Sequence, residues 1–250
     1  MQTRHGHVFP WVRAVLTAAS FLAAGYLTLV RSLSSPPPPL AVILVTAAAI
    51  ALGAVLPSIQ DVRFGRTLAV EREVGAALSG AFLTMITTYA MSPADLRLHF
   101  FSVERPFWAL PPLQERLIRR GYFGLKFIAP FARVRWTKGK GIIGEVWQDR
   151  NIDGIARDVS LSRQVTTEVE WKQIPANERR NMSWSDYQGA RHIKTVYGQA
   201  ILDDQATGNV VGVISADTGS GEPSAFNNPD LKNLLGVTGK LTWSIVKKAG

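Results

Sequence analysis

The residues best suited to chemistry lie in a glycine-rich segment near the middle of the chain. Gly139, Gly141 and Gly144 satisfy the pattern G-x-G-x-x-G, and a helix is predicted to follow them. Backbone N–H groups at a helix N-terminus favour negative charge, and Lys138 and Lys140 would add positive charge beside them. The segment therefore predicts either contact with a phosphate or a plain tight turn at the start of a helix.

A dinucleotide fingerprint is a third interpretation of these glycines, and the sequence disfavours it. A Rossmann site needs a strand before the glycines, a parallel strand about 30 residues later and an acidic residue at the end of that strand. Asp158 is the only acid at roughly that distance, and residues 155–157 are too short and broken for a buried parallel strand. No cofactor is expected.

Other chemistries lack their residues. The chain has no cysteine, which excludes zinc-thiolate sites, iron–sulfur clusters and cysteine nucleophiles. The four histidines, at positions 5, 7, 99 and 192, do not have the spacing of a metal site. Neither G-x-S-x-G nor a P-loop pattern is present. We expect a protein that is not an enzyme and holds no metal.

The distribution of charge predicts a membrane segment. The net charge is +9, yet all 19 acidic residues lie at or after Asp61, and residues 14–30 and 32–60 carry no charge. Two helices of about 20 apolar residues can cross a bilayer, so we predict a transmembrane hairpin over residues 1–60 with spans at about 12–31 and 40–59. The turn between them is Pro36–Pro39. A cleaved signal peptide is the alternative, and the second apolar run disfavours it.

Arginines predict the orientation of this hairpin. Arg31 alone lies in the loop between the spans, and basic residues favour the cytoplasmic side. We therefore expect an inner-membrane, multi-pass protein with its C-terminal part in the cytoplasm. The arginines on the side of the two ends are Arg4, Arg13, Arg63, Arg66 and Arg72.

A third uncharged stretch, residues 74–94, predicts an amphipathic helix rather than another span. Its large apolar side chains recur at intervals of three or four, which places them on one helical face. These residues are Val74, Leu78, Phe82, Met85 and Tyr89.

The chain after this helix alternates between the periods of strands and helices. Alternation of apolar and polar residues predicts a strand over 95–103, and a basic helix is predicted around Leu113–Arg120. Further strands are predicted at 125–128, 134–136, 196–202 and 210–216, followed by an amphipathic helix over 230–248.

Several of these segments resemble a GAF domain over about residues 68–248. The similar features are the leading helix, the strand over 95–103, the Lys138–Val146 turn into a helix, the strands around Tyr197–Ile201 and Val210–Asp217, and Phe226 before the last helix. The resemblance implies an α+β domain over 61–250 whose antiparallel sheet is backed by the first and last helices. It also implies a ligand pocket between the sheet and the mid-chain helices. Covalent bilin attachment and the methionine-sulfoxide-reductase chemistry of the family need cysteines, which are absent.

Mapping that pocket onto this sequence gives the candidate ligand site. Lys138 and Lys140 would meet phosphate, Trp136 would stack, and Asp158 or Asp217 would accept hydrogen bonds from a base or ribose. The full predicted set is Arg133, Trp136, Lys138, Gly139, Lys140, Gly141, Arg157, Asp158 and Asp217.

The predicted architecture suggests how such a domain would act. No output domain is recognised beyond the last predicted helix, so the signal would pass either to the transmembrane hairpin or to a separate protein. The layout is similar to Pycsar-type anti-phage effectors, in which a cyclic-nucleotide sensor is fused to membrane helices that disrupt the inner membrane. The alternative is a sensory or dimerisation module partnered with a protein such as a histidine kinase. Expected partners are a small anionic ligand such as a cyclic nucleotide, the lipid bilayer and further copies of the chain, but no nucleic-acid polymer.

Overall fold

The computed structural model describes residues 67–104, 115–125, 134–161, 165–203, 208–219 and 222–249. The chain divides between Leu68 and Ala69 into two units, and the second holds nearly all of the described residues. The predicted hairpin over residues 1–60 and the predicted site residue Arg133 lie outside them. Within the described ranges, no helix is long and apolar enough to cross a membrane.

In the described part of the chain, five strands form one antiparallel sheet, as the α+β prediction required. Their order across the sheet is β2-β1-β5-β4-β3. β4 and β5 are neighbours in the chain and in the sheet, in agreement with the predicted pair of strands. The strands are β1 (Arg97–Glu104), β2 (Arg116–Gly124), β3 (Ile155–Asp158), β4 (Thr195–Leu202) and β5 (Val210–Thr218).

The first and last of the described helices cover one face of this sheet, as the GAF resemblance implies. Helix α1 spans residues 67–89, and the last helix, α6, spans Pro229–Ala249. Val74, Leu78, Phe82 and Met85 of the predicted stripe are all buried in the same core as sheet residues such as Phe100. The prediction of an amphipathic helix at this position is therefore confirmed.

Between β2 and β4, the described residues form four short helices. α2 (Gly141–Asp149) packs on the opposite face of the sheet, where Ile142, Val146, Val196 and Val213 share a second core. A third, small cluster centres on Trp171. The remaining helices are α3 (Glu168–Gln173), α4 (Ala176–Arg179) and α5 (Trp184–Ala190).

The predicted helix around Leu113–Arg120 is wrong, because residues from Arg116 onward form β2. These basic residues suggested a helix from the sequence alone, but pairing with β1 makes them a strand. The Arg120 guanidinium pairs with Glu104 and donates to Ser102 Oγ on β1. Gly121 follows, where an added Cβ would lie 2.2 Å from Val74 Cγ1, so α1 packs directly on this strand.

Three shorter segments can be compared with the sequence predictions. Residues 155–158 do form a strand, but it is antiparallel to β4 at the edge of the sheet, unlike the parallel strand of a Rossmann site. β2 ends at Gly124, and of the strand predicted at 125–128 only Leu125 lies within the described residues. In the strand predicted at 134–136, Trp136 makes a single bridge with Leu117.

Candidate ligand-binding cavity

A cavity of about 580 Å³ lies between the sheet and the short helices α2 to α5. Its walls come from the second core, from the Trp171 cluster and from the segments that flank β3 and β4. The polar, charged and aromatic side chains of its lining include Trp136, Asp158, Trp171, Glu178, Arg179, Arg180, Tyr187, Arg191, Lys194, Ser215 and Asp217.

The floor of the cavity is polar and is built on β5. Ser215 and Asp217 are two residues apart on this strand, so both side chains face the cavity. The register places Arg97 of β1 opposite Asp217 and His99 opposite Ser215. Asp217 Oδ2 lies 2.7 Å from His99 Nε2, and Asp217 Oδ1 accepts a hydrogen bond from Arg97 Nε.

All three side chains of this cluster are buried, so their charges must be compensated within the protein. Arg97 is 5% exposed, and His99 and Asp217 are each 1% exposed. A buried carboxylate needs a positive or hydrogen-bonding partner, and Asp217 has both. Arg97 therefore already compensates the charge at the floor.

The Ser215 hydroxyl lies at the same floor without a partner. The residue is 1% exposed, and within the described part of the chain its Oγ has no hydrogen bond. A buried hydroxyl without a partner costs about 1 to 3 kcal/mol. A hydroxyl that faces a cavity can regain a hydrogen bond from a ligand that binds there.

The mouth of the cavity is cationic. Among its lining residues, Arg191 and Lys194 are exposed and Arg179 is half-buried, and none of the three forms an ion pair with another described residue. Arg179 Nε is moreover buried without a hydrogen-bond partner among those residues. Arg180 differs, because its guanidinium is 3.0 Å from Glu145 Oε2 and is committed to that contact.

The covering helices present aromatic rings to the cavity. Trp171 of α3 and Tyr187 of α5 stack with centroids 4.5 Å apart and planes 20° apart. Burial raises the pKa of the Tyr187 phenol above its ordinary value, so the hydroxyl stays protonated at neutral pH. Capping boxes begin both helices, with Thr167 and Glu170 at α3 and Ser183 and Asp186 at α5.

Four of the residues predicted for the site come together at this cavity: Trp136, Gly141, Asp158 and Asp217. Lys138, Gly139, Lys140 and Arg157 are not part of its lining. Arg157 is exposed on the edge strand β3.

The two predicted phosphate-binding lysines have other contacts. Lys138 Nζ is 3.1 Å from Glu115 Oε2 and 5.1 Å from the centre of the Trp147 ring. Lys140 Nζ is 2.6 Å from Asp186 Oδ2 on α5. Burial would raise the pKa of Asp186, but hydrogen bonds from Lys140 and Ser183 outweigh it and hold that pKa below its ordinary value. The ion pair between Lys140 and Asp186 thus connects α5 to the start of α2.

Backbone N–H groups of the glycine segment also have hydrogen-bond partners within the protein. The N–H of Gly139 donates to Gly144 O at 2.9 Å, and the N–H of Gly141 donates to Arg180 O at 2.8 Å. Lys140 N–H donates to Thr137 O at 3.1 Å. Because these donors are used within the protein, the geometry favours the tight-turn interpretation of the segment over phosphate contact.

Sequence reasoning missed the residues that give the cavity its polarity. Ser215 could have been found, because it shares its strand face with the predicted Asp217. Arg179 resembled part of a solvated basic run with Arg180, and Arg191 and Lys194 stood in a stretch with no motif. Only the packing of α3 to α5 over the sheet brings these cations to one opening.

Comparison with known proteins gives structural similarities only. No protein-family model matches the chain, and the search of curated proteins found no match. The chain is similar to the GAF domain region of a Geobacter sulfurreducens protein described as a membrane protein. That match has 19% identity and a TM-score of 0.42, and it covers 74% of this chain and 97% of the other.

Two further solved structures are similar at lower identity. Free methionine-R-sulfoxide reductase from Neisseria meningitidis, in complex with its substrate, is 12% identical with a TM-score of 0.37, covering 74% of this chain and 90% of its own. A Burkholderia vietnamiensis protein described as a GAF sensor is 12% identical with a TM-score of 0.35, covering 73% and 96%.

Proposed function

We propose that the unit Ala69–Gly250 is a sensory domain that binds a small organic ligand in the cavity between the sheet and helices α2 to α5. The observation that carries the proposal is the Ser215 hydroxyl, which is buried at the cavity floor with no hydrogen-bond partner among the described residues. Protein interiors rarely leave such a group unsatisfied. A ligand that supplies the missing hydrogen bond accounts for it.

The size and lining of the cavity support the same function. Small-molecule sites typically enclose about 300 to 1,000 Å³ and combine apolar walls with a few polar groups. This cavity encloses about 580 Å³ and combines the rings of Trp136, Trp171 and Tyr187 with the polar floor at Ser215 and Asp217. The proposed role is binding without catalysis.

A cyclic nucleotide is the first ligand to test. It combines a flat base, which suits aromatic walls, with an anionic phosphate, which suits a cationic mouth. The experiment follows the thermal unfolding of the full-length protein, purified in a mild detergent, during titration with cyclic mono- and dinucleotides. Ligand at 100 times its Kd stabilises by about 2.7 kcal/mol, which corresponds to a rise of about 5 to 10 °C for a domain of this size.

Ala190→Phe provides a matched control for this titration. Ala190 lies on α5 at the cavity wall, so a phenyl ring there would occupy ligand space. The variant should fold but lose the thermal shift. If no cyclic nucleotide shifts the wild-type protein, this ligand class is wrong.

We further propose that the domain controls a membrane effector. Ligand binding would change the packing of hairpins over residues 1–60 in a homo-oligomer and disrupt the inner membrane, as an anti-phage defence. The uncharged runs and the small residues at Ala23, Ala24 and Gly25 support close helix contact. The test is membrane depolarisation in cells that produce both the protein and a nucleotide cyclase, with deletion of residues 1–60 as the control.

The outcome of that test separates two outputs. Depolarisation that requires residues 1–60 supports the effector. Ligand binding without depolarisation would contradict it and favour the alternative, a membrane-bound sensory module that signals through a separate partner such as a histidine kinase.

A further inference from the structure

The two ends of the cavity differ in charge. At the floor, Arg97 compensates Asp217, and Ser215 is neutral. At the mouth, the cations Arg179, Arg191 and Lys194 have no ion-pair partner in the described ranges. This difference sets the direction in which a ligand would bind.

Acidic residues also line the cavity, and they reduce the positive charge at the mouth without cancelling it. Asp158 Oδ1 already accepts from the backbone N–H and hydroxyl of Ser160. Glu178 is exposed on α4. Three cations therefore face two carboxylates at the mouth, and one carboxylate has part of its accepting capacity filled.

Resting on the proposed function, we propose that the ligand is a planar organic anion that binds with a neutral N–H donor towards the floor and its anionic group at the mouth. A carboxylate can accept about four hydrogen bonds, and Asp217 uses two for Arg97 and His99. It retains capacity for a donor from the ligand. An ammonium group would be disfavoured there, because the charge of Asp217 is already compensated.

The spacing of the floor groups fits the edge of a ring. Residues two apart on a strand are separated by about 6.6 Å, so Ser215 and Asp217 can contact two atoms of one flat ligand. The rings of Trp136, Trp171 and Tyr187 supply stacking surfaces on the walls. The anionic group then contacts Arg179, Arg191 and Lys194.

Three probes with one ring system test this polarity. Indole-3-acetate, indole-3-acetamide and tryptamine share an indole with an N–H donor, and their side chains are negative, neutral and positive. Isothermal titration of the full-length protein should give about tenfold tighter binding of the acetate than of the acetamide, as expected for loss of a charge-assisted hydrogen bond. Tryptamine should bind most weakly.

Variants then locate the anionic group. Arg191→Gln and Lys194→Gln should each weaken indole-3-acetate about five- to tenfold and leave indole-3-acetamide unchanged. Lys240→Gln removes the same charge from an exposed position on α6, outside the cavity lining, and should change neither affinity.

Other outcomes would contradict either the ligand polarity alone or the proposed function as well. Equal affinity for acetate and acetamide would overturn the ligand polarity and leave the proposed function standing. If neither probe set binds the wild-type protein, the proposed function fails together with the inference.

Discussion

Replacing Ser215 by alanine should make the unliganded protein more stable and its ligand binding weaker. The hydroxyl is buried, in a residue that is 1% exposed, and has no hydrogen-bond partner within the described part of the chain. Its removal relieves a desolvation cost of about 1 to 3 kcal/mol. For a domain of this size, each kcal/mol corresponds to about 2 to 4 °C in Tm. Thermal unfolding should therefore show a Tm at least about 2 °C above that of the wild type.

The liganded state should respond in the opposite direction. If Ser215 Oγ bonds the ligand, the variant loses a hydrogen bond worth about 0.5 to 1.5 kcal/mol. That loss corresponds to a Kd about two- to tenfold higher, which isothermal titration can resolve. A gain in stability together with a loss of affinity is expected of a residue kept for binding rather than folding.

Ser102→Ala is the matched control. Ser102 is also 1% exposed, on the neighbouring strand β1, but its Oγ donates to Glu104 at 2.9 Å and accepts from Arg120 at 3.1 Å. Its removal should destabilise the protein by about 1 to 3 kcal/mol. A fall in Tm for Ser215→Ala similar to that of Ser102→Ala would refute the reasoning, because it would show that the Ser215 hydroxyl is already satisfied.

Three further variants, one of them with a matched control, test other parts of the structure. Asp217→Asn leaves Arg97 without its buried counter-charge and should cost about 3 kcal/mol or more in urea unfolding; a change below 1 kcal/mol would contradict the buried pair. Lys140→Met should cost about 1.5 to 3 kcal/mol at pH 7. Because the pKa of Asp186 is lowered in the fold, that difference should shrink as the pH falls below about 4, and a constant difference from pH 7 to pH 3 would argue against the pairing. Gly154 has a φ of 72°, and Tyr197 Oη would lie 1.9 Å from an added Cβ, so Gly154→Ala should lower the free energy of unfolding by about 2 to 5 kcal/mol. The control Gly75→Ala on α1 should be neutral or stabilising.

Much of the fold followed from local patterns in the sequence. The stripe from Val74 to Met85 predicted α1 and its buried face, and alternation predicted β4 and β5. β2 could not be predicted in this way. Its basic residues suggest a solvated helix when they are considered alone, and only the partners on β1 explain them as a strand.

The candidate site was predictable in its location but not in its polarity. The expected pocket between the sheet and the mid-chain helices agrees with the cavity that Trp136 and Asp217 line. The glycine segment and its lysines drew the prediction of an anion site because their motif is visible in the sequence. Lys140 instead pairs with Asp186, and the cations at the mouth come from helix packing that no short motif encodes.

The most direct test of the central claim is a binding titration with cyclic nucleotides and indole-3-acetate. It compares the wild-type protein with Ala190→Phe and Ser215→Ala. We predict saturable binding of one ligand per chain, loss of that binding when the cavity is filled by Ala190→Phe, and a two- to tenfold weaker Kd for Ser215→Ala. Undiminished binding to a folded Ala190→Phe variant would contradict the account, because the ligand would then bind outside this cavity.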